Sequence, residues 1–117
     1  MRMKILVCVK QVYDSPETLA FNVFSGRVEY GPRTVFRMNR YDEYALEEAL
    51  RIRERFAETV IDAVSVGPQR VEKTIRRALE VGADQGIHLQ TKDDAYLSAF
   101  ERAHHIASMA LDRNYDL

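Results

Sequence analysis

Ile5-Leu6-Val7-Cys8-Val9 is a short unbroken apolar run, mostly β-branched, followed at once by the polar Lys10-Gln11. A strand buried on one face alternates apolar and polar residues. A run without alternation is the pattern of a strand covered on both faces, as in a parallel sheet. The run is too short for a membrane span or a signal-peptide core. It therefore reads as a core strand, and Lys10 to Pro16 as a polar exit from it.

The rest of the chain supplies partners for such a strand. Leu19 to Tyr30 has the pattern of a small hairpin, with Phe21, Val23, Val28 and Tyr30 flanking a turn at Ser25-Gly26. Asn39 is a good helix N-cap, and Asp42 and Glu43 fall in the first turn, where the helix dipole favours acids. The helix is expected to reach Phe56, with Ala45, Ala49, Ile52 and Phe56 on one apolar face and Leu46 and Leu50 beside it. Thr59 to Val66 reads as a second strand, ended by Gly67-Pro68. Val71, Ile75, Ala78 and Leu79 then line a second helix closed by Gly82. Gln85 to Leu89 is a third strand. Asp93 or Asp94 is expected to cap a last helix reaching about Arg113, with Leu97, Phe100, His104, Ala107 and Leu111 as its stripe. Tyr115-Asp116-Leu117 starts as a further strand would.

Strands alternating with helices predict an α/β fold, with a parallel sheet, flanking helices and the first strand at its centre. The 117 residues suit one domain, residues 1–117, and 46% hydrophobic residues suffice for a core. Seventeen basic against 18 acidic residues give a net charge of −1, which leaves no broad basic field for nucleic acid or an anionic membrane. The one cysteine, Cys8, can form no internal disulfide, and the Cys/His pairs of a structural zinc site are missing. These features suit a cytoplasmic protein.

Four segments could carry chemistry, all at strand ends or helix starts, where open parallel sheets bind ligands. At Val7–Gln11 the chain leaves a strand and can offer backbone groups to a flat base, or it is simply a core strand with a polar exit. Met38–Glu43 combines an Asn cap, an aromatic and an acid that could hold a ribose or phosphate, although by itself it reads first as an ordinary capped helix with solvated glutamates. Val64–Gln69 places a glycine at a strand-to-helix turn, where backbone can approach a ligand closely. It lacks the lysine and second glycine of a P-loop. Glu80–His88 has the composition of a structural helix-to-strand return. Cys8 within an apolar run is expected to be an inert thiol of raised pKa. His88 is alone on a strand, and no Ser/His/Asp arrangement emerges.

Taken together, in this order and spacing, these segments resemble the electron-transfer flavoprotein β subunit. The resemblance rests on Ile5–Asp14 (ILVCVKQVYD), Met38–Glu54 (MNRYDEYALEEALRIRE), Val64–Pro68 (VSVGP) and Thr74–His88 (TIRRALEVGADQGIH). It implies an adenine-nucleotide α-hydrolase-like, Rossmann-like sheet that buries AMP, or a second FAD in relatives that split electron pairs. It also implies an electron carrier, not an enzyme, paired with an α subunit that bears the redox FAD. Together they would shuttle electrons from acyl-CoA or other flavin dehydrogenases. The family's contacts to base and ribose carry over to Cys8, Asn39, Arg40, Tyr41, Asp42 and Val66, acting largely through backbone. Arg40 and Tyr41 replace the usual Pro-Phe, and Gln11 replaces a common Arg. The resemblance also implies a longer subunit, whose next strand begins at Asp116-Leu117 and whose phosphate contacts follow it. This stretch alone is therefore expected to bind nucleotide poorly. A universal-stress-type nucleotide-binding domain is the alternative; its Gly-rich phosphate loop is absent. The SGGxDS-like loop of ATP-activating enzymes on a similar sheet is absent too, since Val9-Lys10-Gln11-Val12 stands in its place.

Overall fold

The computed structural model describes residues 2–14, 20–29, 31, 34–92 and 96–117. Its main sheet has three strands: β1 (Lys4–Cys8), β6 (Val60–Gly67) and β7 (Gln85–Gln90). They run parallel in the order β1-β6-β7, with Val7 opposite Ala63 and Val64 opposite Ile87. The remaining strands are short and antiparallel. β2 (Gln11–Tyr13) pairs with β5 (Phe36–Met38), and β3 (Ala20–Asn22) pairs with β4 (Arg27–Glu29). The second pair is the expected hairpin, with Gly26 at positive φ in its turn. Leu19 and Tyr30 lie outside the described residues. The pairing of β2 with β5 was not anticipated, because Gln11–Tyr13 carries no apolar alternation and read as an exit loop.

The central strand is β6, not β1, and this corrects the sequence expectation. Seven of the eight β6 residues are buried, in the pattern expected of a strand covered on both faces. β1 is covered properly on one face only. Ile5, Val7 and Val9 are buried against α1 (Arg40–Arg55), while Leu6 is half-buried and Cys8 exposed. On its other edge β1 accepts the expected extra strand start. The Asp116 N–H donates to the Lys4 carbonyl at 2.7 Å and the Leu6 N–H donates to the Leu117 carbonyl at 2.8 Å. Tyr115 anchors this segment by donating its hydroxyl to the Asp62 carboxylate at 2.7 Å. Asp62 is only 1% exposed.

α1 starts at its predicted cap, with the Asn39 side-chain oxygen accepting the Tyr41 N–H at 2.9 Å. Its inward face is rotated from expectation. Leu46 and Ala49 are buried and Leu50 and Ile52 half-buried, whereas Ala45 and Phe56 are exposed. A short 3-10 turn (Gln69–Val71) leads from Pro68 into α2 (Glu72–Val81), which buries Thr74, Ile75 and Ala78. Val71 is buried with them, and Leu79 is left exposed.

Gly82 ends α2 at φ 143°, a conformation that side chains other than glycine's rarely adopt. The return that follows is structural, as expected. The Asp84 carboxylate accepts the Ile61 N–H at 2.8 Å and pairs with Arg53 at 3.0 Å, and Arg53 also donates to the Gly82 carbonyl at 2.9 Å.

α3 (Ala99–Ala110) departs furthest from its prediction. It is capped by Ser98, in a capping box with Glu101. Asp93 and Asp94, the caps expected from sequence, lie outside the described residues. The helix ends short of Arg113, and the stripe Phe100, His104, Ala107 and Leu111 faces solvent, with Phe100 80% exposed. The half-buried side instead carries Arg102, Ile106, Met109 and Ala110. Among the described residues no helix is long and apolar enough to cross a membrane.

Candidate functional site

The exit from β1 and the start of α1 are tied together in both directions. The Asn39 N–H donates to the Lys10 carbonyl at 2.7 Å. The Lys10 N–H in turn donates to the Asp42 carboxylate at 2.7 Å. Two segments about thirty residues apart are thereby held at the same end of the sheet, the carboxyl end of β1 and β6. In open parallel α/β sheets that is where ligands are bound.

A cavity of about 510 Å³ opens there. Such a volume is in the range of small-molecule sites, roughly 300–1,000 Å³. Cys8, Val9 and Lys10 form one wall, Asn39 and Asp42 a second, and Val64 and Val66 the floor. Tyr96, Leu97, Ala99, Arg102, Ala103 and Ile106 close it from the side of α3. A second hollow, also of about 510 Å³, lies over the start of α2 among Gln69, Arg70, Glu72, Lys73 and Arg76. It is framed by long polar side chains and has no wall formed by strand ends.

Four of the six residues singled out from sequence, Cys8, Asn39, Asp42 and Val66, meet in the first cavity. Arg40 and Tyr41 do not line it. They occupy the first two positions of α1 with exposed side chains, and Tyr41, 80% exposed, stands edge-on to Tyr44 with ring centroids 6.4 Å apart. A helix start turns successive residues by about 100° each. Asn39 and Asp42, three apart, therefore share the cavity side, and the two residues between them do not.

The electrostatics of the cavity follow from partial burial. Burial raises the Asp42 pKa above the ordinary carboxylate value, and the Lys10 N–H bond and the Lys10 charge oppose it. Burial also raises the Cys8 thiol, and the neighbouring Asp42 charge raises it further. Cys8 is thus exposed to the cavity rather than sealed in the core, yet it keeps the raised pKa expected of it. The Val66 carbonyl, a backbone acceptor at the cavity floor, receives the Arg102 Nη1–H at 3.2 Å.

The α3 contribution was missed from sequence. By periodicity Leu97 belongs to an apolar stripe, and Arg102 is one charge among several on a half-polar helix. Which residues of α3 reach the cavity depends on where the helix begins, and the signal that marks it, the capping box Ser98-x-x-Glu101, competes in the sequence with the two aspartates before it. Apolar walls beside Asn39, Asp42, Lys10 and Arg102 suit a flat ring joined to a polar, charged group.

The electron transfer flavoprotein domain model matches residues 33–117. The chain belongs to the electron transfer flavoprotein family. It is 42% identical over 91 residues to an electron transfer flavoprotein subunit beta of Dictyostelium discoideum, a match that takes in 78% of this chain and 36% of that protein. To the mitochondrial electron transfer flavoprotein subunit beta of Arabidopsis thaliana it is 47% identical over 90 residues, 76% of this chain and 35% of that one. The Syntrophomonas wolfei electron transfer flavoprotein subunit beta aligns over all 117 residues at 32% identity, or 44% of its own length. The chain thus spans roughly a third to less than half of the curated relatives it matches. These likenesses support the β-subunit resemblance read from the four motifs and favour it over a universal-stress-type domain.

Proposed function

We propose that residues 1–117 form one domain, the nucleotide-holding part of an electron-transfer flavoprotein β subunit, and that the cavity at the strand ends takes AMP or, in its place, the AMP half of a second FAD. The observation that carries this reading is the meeting of Cys8, Asn39, Asp42 and Val66 in one cavity. Those residues come from three separate segments, and each belongs to one of the motifs that carry the family resemblance. The base would lie against Val64, Val66 and Leu97, with ribose and phosphate towards Asn39, Lys10 and Arg102. AMP supplies no redox chemistry; these residues bind and orient it.

In this reading the subunit is an electron carrier without catalysis of its own. It pairs with an α subunit bearing the redox FAD, receives electrons from acyl-CoA or other flavin dehydrogenases, and acts in the cytoplasm.

Calorimetric titration of the chain with AMP and with FAD tests the site. Weak but saturable binding of one of them is expected, and absence of binding by both overturns the reading. Submicromolar AMP binding would favour a stand-alone nucleotide-binding module instead. The chain alone should be colourless, and its complex with a co-expressed α subunit yellow.

A further inference from the structure

We propose that Arg102 is an anion-binding residue of the cavity and gives it a preference for a phosphorylated nucleoside over the bare nucleoside. This rests on the nucleotide reading above and adds to it a group within residues 1–117 that meets the ligand's charge, besides the phosphate contacts that the family resemblance implies after Asp116-Leu117. Arg102 lies at the end of the first turn of α3, half-buried, and lines the cavity. Its Nη1–H donates to the Val66 carbonyl at 3.2 Å, which fixes the guanidinium beside the carboxyl end of β6. A guanidinium has five N–H donors in a planar fork suited to phosphate oxygens.

Among the described residues no acid forms an ion pair with it. The nearest acid in sequence, Glu101, turns back to accept the Ser98 N–H at 3.2 Å in the capping box. Asp42, the one carboxylate lining the cavity among the described residues, accepts the Lys10 N–H. Among the described residues the ion pairs involve Arg37, Arg51, Arg53 and Arg77. Among the described residues the cavity therefore presents Lys10 and Arg102 against one acid, Asp42. A half-buried cation with spare donors, facing a cavity, fits an anion, and charge-assisted hydrogen bonds are the strong ones. The competing role is a brace: Arg102 could serve only to hold α3 on the sheet through Val66.

Titration of wild type and Arg102→Gln with adenosine and with AMP separates the two, with thermal melting to check that the variant folds. Wild type should bind AMP about tenfold or more tightly than adenosine, the worth of one charge-assisted hydrogen bond. In Arg102→Gln that preference should fall towards unity, with AMP affinity dropping far more than adenosine affinity. A variant that keeps the preference, or that loses AMP and adenosine equally, overturns the inference; the second result assigns Arg102 to the brace. Equal wild-type binding of AMP and adenosine also overturns it and leaves the nucleotide reading intact. If wild type binds neither, this inference falls, and the nucleotide reading falls with it when FAD does not bind either. Should Arg102→Gln not fold, the salt dependence of wild type decides. The AMP preference should shrink markedly from low to high salt while adenosine binding holds, and a salt-independent preference is the overturning result.

Discussion

Replacing Asn39 by alanine and by serine would separate the two roles this residue has at the cavity. Its side-chain oxygen caps α1 by accepting the Tyr41 N–H at 2.9 Å, and its side chain also lines the cavity. Alanine removes the cap acceptor and leaves one N-terminal donor of the helix without a protein partner. Loss of an Asn cap costs about 1 kcal/mol, within a range of roughly 0.5–2. For a domain of this size that lowers Tm by about 3–6 °C. The loss does not extend to the backbone bond from the Asn39 N–H to the Lys10 carbonyl, which alanine retains. Asn39→Ser is the control. Serine caps about as well as asparagine, so its stability should lie within about 0.5 kcal/mol of wild type. Its side chain is shorter, so AMP affinity should still fall several-fold. Urea and thermal denaturation measure the first effect and calorimetric titration the second. An alanine variant as stable as wild type, or a serine variant as destabilised as alanine, would refute the capping argument. A serine variant with full AMP affinity would refute the ligand contact.

Three further outcomes are expected. Gly82→Ala forces a Cβ onto φ 143° and to 2.7 Å from Leu50 Cδ2, so it should destabilise by about 2–4 kcal/mol, read as a lower urea midpoint at unchanged slope; a loss below about 1 kcal/mol would contradict the strain. Tyr115→Phe takes from the buried Asp62 its hydroxyl partner and should cost about 1–3 kcal/mol near neutral pH. The Tyr115 phenol is pushed up to about 12, by burial first and then by the Asp62 hydrogen bond. Its folded pKa exceeds the unfolded value of 10.0, so its contribution is complete below pH 10 and is lost as pH rises from 10 to about 12. The gap between wild type and Tyr115→Phe should close over that window, and a gap that widens there would be wrong for this bond. Cys8 should react with iodoacetamide at pH 8 more slowly than a free thiol, because its pKa is raised, and AMP should slow it further by filling the cavity it lines. Reaction as fast as glutathione, or no protection by AMP, is the contrary result.

Much of this was legible in the linear sequence because it depends on neighbours in the chain. The cap at Asn39, the glycine at the end of α2, the hairpin around Gly26 and the parallel strands at Val60–Gly67 and Gln85–Gln90 follow from local periodicity and backbone preference. The four motifs carried the family. They also brought Cys8, Asn39, Asp42 and Val66 together, because strand ends and helix starts of a parallel sheet share one side. The spacing of Asn39 and Asp42 on a helix already implied that Arg40 and Tyr41 would point elsewhere, although the motif match drew all four in together.

Tertiary structure alone decided what depends on contact between distant segments. An apolar run such as Ile5–Val9 says that a strand is buried without saying how many neighbours bury it; β6, between two strands, took the centre, and β1 was left with Cys8 opening on the cavity. Periodicity likewise gives α3 an apolar stripe but not its direction. The sheet took the side bearing Arg102, Ile106 and Met109, and left Phe100 and Leu111 in solvent. Burial is a property of two surfaces meeting, and a sequence read one segment at a time contains only one of them.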